Sequence, residues 1–165
     1  MLRFGLCGGG IGSFIADVHI RGIEATHGAE LVAGCFSRDA ENNAKTGQIR
    51  GLDPSRVYAT PAEMAQAEGA REDGIDFVVI TTPNVSHYEI AKAFLSAGIH
   101  VASDKPLTTD AWQAQELQQL AAKKGLRFCV TFTYAGYPIL QHARDIIRRG
   151  DLGDIVMVMG EYAQD

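Results

Sequence analysis

Apolar positions along this chain follow two alternating periods. Runs rich in β-branched and aromatic residues, Leu2–Cys7, Glu30–Phe36, Phe77–Thr81, His100–Ser103 and Arg127–Thr131, predict five strands. Phe77-Val78-Val79-Ile80 is apolar without interruption, as suits a central parallel strand covered on both faces. Between these runs the spacing turns helical, over Gly12–Thr26, Asp39–Ile49, Pro61–Glu68, Ser86–Ala97 and Thr109–Lys124. Phe14, Ile15, Val18, Ile20 and Ile23 carry the apolar positions of the first. Ile90, Ala93, Phe94 and Ala97 share a face of the fourth, and Ala111, Ala114, Leu117, Leu120 and Ala121 share one of the fifth. The punctuation agrees: Thr60 caps a helix opened by Pro61, while Gly98 and Gly125 stand in the helix-terminating position. Strand and helix alternating about five times predict an α/β fold, a doubly wound parallel sheet with right-handed crossovers. The Asp53-Pro54 turn before Val57-Tyr58 marks a short connection with room for a minor strand.

Beyond residue 135 the pattern changes. Tyr137-Pro138 opens a helix through Arg149, with Ile139, Leu140, Ala143, Ile146 and Ile147 on one side, and Gly150-Asp151-Leu152-Gly153 breaks it. Asp154–Tyr162 then reads as a strand of ordinary length. Two domains are therefore expected: 1–135, and 136–165 as a linker helix with the first strand of a truncated α+β domain. The missing sheet would belong to a longer protein or come from another chain.

Composition narrows the function classes. Of 165 residues, 46% are hydrophobic and 21% charged, enough for an ample core. Fifteen basic against twenty acidic residues give a net charge of −5, which leaves no electrostatic footprint for nucleic acid. The basic pairs Lys123-Lys124 and Arg148-Arg149 fall near predicted helix ends, where they offset the helix dipole. No apolar run approaches the roughly 20 residues of a membrane span, and glycines interrupt the N-terminus too early for a signal peptide. Cys7, Cys35 and Cys129 are odd in number, widely spaced and free of any C-x-x-C pattern, so they read as small core residues in a reducing compartment, the cytoplasm. The five histidines lack ligand spacing with acids or cysteines, and no metal is expected.

The candidate chemistry gathers at the carboxyl ends of the strands, where open α/β sheets bind ligands. After Leu6-Cys7, four glycines crowd into positions 8 to 12 before a helix begins. Such a turn lets the backbone approach a pyrophosphate and aims helix N–H groups at it. From Gly8 it reads G-x-G-x-x-S, with the small Ser13 in place of a third glycine. From Gly10 the third position would be Ile15, which would crowd the helix against the strand. A glycine-rich turn without a ligand has the same sequence.

The next strand ends Phe36-Ser37-Arg38-Asp39, where a dinucleotide enzyme reads the adenosine ribose. A hydroxyl and a guanidinium suit a 2′-phosphate and favour NADP over NAD, with Asp39 free to cap the following helix. Thr81-Thr82-Pro83-Asn84 offers hydroxyls and an amide beside a phosphate or ribose, or is an ordinary turn with Ser86 as a helix cap. His87 would then meet a ribose or substrate, or face solvent. Asp104-Lys105-Pro106 places a lysine where it could exchange a proton with a hydroxyl during hydride transfer, tuned by burial and oriented by Asp104. An exposed turn lysine is the plainer alternative. Tyr134 and Tyr137 could line a sugar or hydroxy-acid site, or serve interdomain packing.

Taken together, these strand ends resemble the N-terminal half of the glucose–fructose oxidoreductase, inositol dehydrogenase and rhizopine-catabolism (Gfo/Idh/MocA) family, from Leu2 through Tyr162. The resemblance is carried by the Gly8-to-Ser13 turn, Thr82-Pro83-Asn84 with His87, Ala97-Gly98-Ile99-His100-Val101 leading to Asp104-Lys105-Pro106, and Gly150-Asp151-Leu152-Gly153-Asp154-Ile155. It implies a Rossmann-like NAD(P)-binding domain of an oxidoreductase acting on a sugar, polyol or related hydroxyl compound. Lys105, with Asp104 where the family has glutamate, would be catalytic. Gly8, Gly10, Ile11 and Gly12 would cradle the pyrophosphate, Ser37 and Arg38 would face the adenosine ribose, and Thr82, Pro83, Asn84 and His87 the nicotinamide side. The family's second domain, with further catalytic residues and usually the oligomer interface, would follow residue 165, so the full-length protein is expected to be a homo-oligomer. An NAD-dependent glycoside-cleaving enzyme and a non-catalytic nucleotide-binding or dimerisation module are the alternatives.

Overall fold

The computed structural model describes residues 1–163. Five strands alternate with helices: β1 (Leu2–Cys7), α1 (Ile15–Glu24), β2 (Ala29–Cys35), α2 (Ala40–Ile49), α3 (Pro61–Ala70), β3 (Phe77–Ile80), α4 (His87–Ser96), β4 (His100–Ser103), α5 (Ala111–Lys124) and β5 (Phe128–Val130). All strand pairs are parallel, in the order β2-β1-β3-β4-β5. The chain runs outward from β1 to β2 and then returns past β1 to β3, so the order reverses between β1 and β3. The minor strand expected near Val57 is a single parallel bridge from Val57 to Gly34. Gly34 already pairs with Leu6 of β1, so Val57 lies on the outer edge of β2. Counting it, the order becomes the 3-2-1-4-5-6 of dinucleotide-binding sheets.

Period-2 alternation distributes the core to both faces. Cys7, Val78, Ile80 and Val101 face α3, α4 and α5, packing against Met64, Ile90, Phe94, Leu95 and Leu117. Phe4, Leu6 and Val79 face the other way, with Ala16 and Ile20 of α1. The ends are capped as the sequence predicts. Asp39 accepts from Asn42 N at 2.7 Å and Thr60 from Glu63 N at 3.2 Å, and Gly98 and Gly125 end α4 and α5 at φ +87° and +67°. A buried ion pair joins Arg56 to Glu68, whose carboxylate also accepts from Tyr58 Oη at 2.7 Å and Ile75 N at 3.1 Å.

Three expectations are corrected. Helix α1 begins at Ile15, because Gly12 has a φ of +92° outside the helical region. It buries Ala16 and Ile20, while Phe14 and Val18 are exposed. Position 18 lies about 200° around the helix from both 16 and 20, so it cannot share their face. Cys7 and Cys35 are buried, but Cys129 is exposed. Cys129 is the partner of Ala102, on the α1 side of the sheet, where residues Met1–Thr131 place no helix over β5.

The third correction concerns the chain end. The first compact unit runs over Met1–Thr131 and the second begins at Phe132. The unit that follows contains a 3₁₀ turn at Thr133–Gly136 and α6 (Pro138–Arg148). Over 154–163 no strand forms, and Val156, Met157, Val158 and Met159 are largely exposed. Backbone N–H and C=O groups become a strand by pairing with a neighbour, and this segment pairs with no described strand.

Candidate cofactor and active site

The reversal between β1 and β3 brings the glycine turn against the end of β3. Thr81 N donates to Cys7 O at 2.8 Å, and its hydroxyl donates to the same carbonyl at 3.2 Å. Gly8 has a φ of +93°, and a Cβ added there would stand 2.8 Å from Thr81 Oγ1. At Gly9 an added Cβ would overlap Ala16 Cβ, so this glycine gives the close strand–helix approach. At Gly10 it would stand 2.6 Å from Asn42 Oδ1. Gly12 instead opens onto free space, with nothing within 4 Å of such a Cβ. Helix α1 has no side-chain N-cap, so its first amides are left for another acceptor. Asp17 in that first turn would repel an anion, but Arg50 pairs with it. That guanidinium holds the Asp17 carboxyl below its ordinary pKa. A pyrophosphate fits this turn: small residues where backbone must come close, unclaimed donors, and a neutralised neighbouring acid.

Ile11 plays a different part from its neighbours. Its N–H donates to Asn42 Oδ1 at 2.9 Å, with Thr46 Oγ1 at 3.3 Å, so α2 holds this amide. Neither α2 residue was singled out from the sequence. Both are polar and spaced i, i+4, which marks one face of a helix. Beside them, Ser37 is half-buried and its Oγ accepts from Asp39 N at 3.1 Å. Arg38 is exposed and meets no acidic partner among the described residues. Asp39 is engaged as the α2 cap.

On the β3 side, Pro83 and Asn84 are exposed, and the Asn84 amide makes no side-chain bond among the described residues. Thr82 Oγ1 lies 2.8 Å from Ser86 Oγ. Ser86 does not cap α4; its hydroxyl donates to Pro83 O at 2.7 Å. His87 is neither solvent-exposed nor open to a ligand. It is 1% exposed, with Nδ1 2.8 Å from Pro106 O and Nε2 2.8 Å from Thr82 O. Both ring nitrogens are therefore taken by main-chain carbonyls.

Lys105 follows β4 and is exposed, rather than buried as its expected tuning required. Its ammonium meets no acceptor among the described residues. Asp104 does not reach it. Asp104 Oδ1 accepts from Lys105 N and from Thr131 Oγ1, both at 3.0 Å, and so fixes the backbone beneath the lysine. His19 Nε2 on α1 is buried without a hydrogen bond, 3.9 Å from the same oxygen. Tyr134 and Tyr137 belong to the second unit, where their exposed rings meet edge to face at 5.5 Å. Tyr162 joins them, its hydroxyl 2.7 Å from that of Tyr134.

Residues 2–132 match the family model for Gfo/Idh/MocA, described as an oxidoreductase family with an NAD-binding Rossmann fold. The chain belongs to this family. It is 40% identical over 162 residues to an uncharacterized oxidoreductase, YfiI, of Bacillus subtilis, covering 98% of this chain and 41% of that protein. An inositol 2-dehydrogenase of Rhizobium meliloti is 28% identical over 95% of this chain and 44% of its own length. Among solved structures, an inositol dehydrogenase homolog from Azotobacter vinelandii complexed with NAD+ superposes with a TM-score of 0.89 at 35% identity, covering 93% of this chain and 39% of that one. The same homolog has been solved with NADH and myo-inositol. The chain thus spans about two fifths of the length of these Gfo/Idh/MocA relatives. Membership makes residues 2–132 an NAD-binding Rossmann domain of this oxidoreductase family. No helix among the described residues is long and apolar enough to cross a membrane.

Proposed function

We propose that this domain holds NADP in preference to NAD, and serves hydride transfer to or from a hydroxyl-bearing carbon of a sugar or polyol. The observation that carries the NADP preference is the end of β2. Arg38 is exposed beside the Ser37 hydroxyl and meets no acidic partner among the described residues, while the adjacent Asp39 is committed to capping α2. A guanidinium next to a hydroxyl suits a phosphomonoester through charge-assisted bonds. Gly8, Gly10 and Gly12, with the uncapped start of α1, hold the pyrophosphate, and Ile11 keeps that turn in place through Asn42. Thr82, Pro83 and Asn84 face the nicotinamide end.

The chemistry a bound nicotinamide would supply is hydride transfer. Lys105 then exchanges the proton of the substrate hydroxyl, its ammonium unclaimed by any described acceptor, and Asp104 fixes the backbone on which it stands. Tyr134 and Tyr137 contribute to the substrate side. Residues 136–165 lead toward a substrate and oligomerisation domain, the whole protein being a homo-oligomer of the cytoplasm. The three unpaired thiols support a reducing compartment.

Titration with NADPH and NADH, followed by nicotinamide fluorescence, tests the cofactor assignment. NADPH is expected to bind more tightly, and Arg38→Ala to weaken NADPH by about tenfold while changing NADH little, as for loss of one charge-assisted contact. Equal loss for both nucleotides refutes the NADP preference, and no binding of either at millimolar concentration refutes the cofactor site.

A further inference from the structure

The flanks of Lys105 are held from two directions, and one of the holding groups has no role in the chemistry set out so far. His87 opens α4 and is buried. Its ring spans from Thr82 O to Pro106 O at 2.8 Å each, so it links the turn after β3 to the turn after β4. Both partners are carbonyls and only accept. Each link therefore needs a ring N–H, and a neutral imidazole, with one N–H, serves one of them at a time. Rotating the ring away would leave a buried polar group without its partner. On the other flank Asp104 is tied to Thr131 and to the Lys105 amide. Residues 104 and 106 are thus both fixed, while the lysine ammonium between them meets no acceptor among the described residues.

Packing does not call for a polar ring here. An apolar side chain would fill the same space but leave the Thr82 and Pro106 carbonyls without a donor. What the imidazole adds is a fixed relation between Thr82, on the proposed nicotinamide side, and Lys105, the proposed proton carrier. A lysine on a four-carbon stem is a poor proton donor unless its root is fixed relative to the reacting carbon. We infer that His87 is a positioning residue, a strut that sets the Lys105 turn against the Thr82-Pro83-Asn84 turn. It rests on Lys105 serving the proposed oxidoreductase, and it removes His87 from the residues that contact cofactor.

Two measurements on the full chain test the inference, with His87→Leu, which keeps bulk but no N–H, and His87→Gln, which keeps a donor. The first is amide hydrogen exchange at Asp104, Lys105 and Leu107. It is expected to quicken by about fivefold or more in His87→Leu, as for one lost buried hydrogen bond. His87→Gln is expected to return most of the protection. The second is acetic anhydride labelling of the lysines, with and without saturating NADPH. Lys45, Lys92, Lys123 and Lys124 act as controls within each sample. Bound NADPH is expected to slow labelling of Lys105 in the wild type, to lose that effect in His87→Leu and to regain it in His87→Gln. Unchanged exchange at 104–107 overturns the strut. Faster exchange with undiminished shielding of Lys105 makes His87 structural only, and overturns its positioning role. If His87→Leu does not fold, His87→Asn takes its place, since its shorter amide cannot span both carbonyls, and the same outcomes decide. Absence of nucleotide binding by the wild type refutes the cofactor site instead, a result that exchange at 104–107 does not imitate.

Discussion

Phe77–Ile80 and Ile155–Met159 read almost alike, four and five consecutive apolar residues, yet the structure treats them as opposites. The first is β3, paired on both sides, with Val78, Val79 and Ile80 at 0–1% exposure. The second pairs with no described strand, and Val156 is 96% exposed. Their own residues do not explain the difference. β3 meets β1, more than seventy positions earlier, and β4 after one helix, and these neighbours complete its hydrogen bonds. Hydrophobic sequence states what a segment must bury; partners distant in the chain decide whether it becomes a strand.

The largest effect expected from this contrast is that of a charge placed in each run. Val79→Asp buries a carboxylate in the central strand and is expected to cost more than about 3 kcal/mol. Val158→Asp, on an 84% exposed residue, is expected to stay within about 0.5 kcal/mol. Urea denaturation of the two variants measures both, and comparable losses would break the distinction.

The ion pairs sharpen the same comparison. Removing Glu68 leaves the Ile75 amide unpaired and the buried Arg56 guanidinium with only Asp73 beside it among the described residues, and Glu68→Ala is expected to destabilise by about 3–5 kcal/mol. Asp151→Ala removes the exposed partner of Arg149 and is expected to cost less than about 0.5 kcal/mol. Thermal unfolding followed by circular dichroism separates these values, and a near-neutral Glu68→Ala would show that the buried network is dispensable.

β5 is the intermediate case, an edge strand that pairs among the described residues with β4 alone, and its thiol reports that without changing stability. Iodoacetamide labelling read by mass spectrometry is expected to modify Cys129 first and to spare Cys7 and Cys35. Burial raises both of the latter, Cys35 to about 11. Partial desolvation raises Cys129 as well. The thiolate is the reactive form, so its labelling is expected to climb as pH rises through and above 9. Equal labelling of all three thiols in the folded chain would show that the sheet opens as a whole.

Much of this was legible in the residues. The ends of β1 and β4, the Thr60 cap, and the glycines ending α4 and α5 follow from local chemistry, in which a few adjacent residues decide the outcome. The glycine turn was visible for the same reason. What escaped the sequence depends on contacts across dozens of positions. Asn42 reaches Ile11 from 31 residues away, Pro106 meets the His87 ring, and Asp104 turns to Thr131 rather than to Lys105. Val18 was misplaced because apolar spacing gives a stripe without saying which edge of it meets the sheet. Asp154–Tyr162 failed because pairing is a property of two segments.

Asn42 has a consequence for redesign. Its backbone N–H is held by Asp39, the neighbour of Arg38, and its side chain holds Ile11 in the glycine turn. The two ends of the proposed nucleotide site are therefore one mechanical piece. Substitutions around Arg38 and within the turn will not add independently. An exchange of cofactor preference that replaces Asp39 would loosen the turn it never touches, so an engineer should keep Asp39 and Asn42 together and vary only positions 37 and 38.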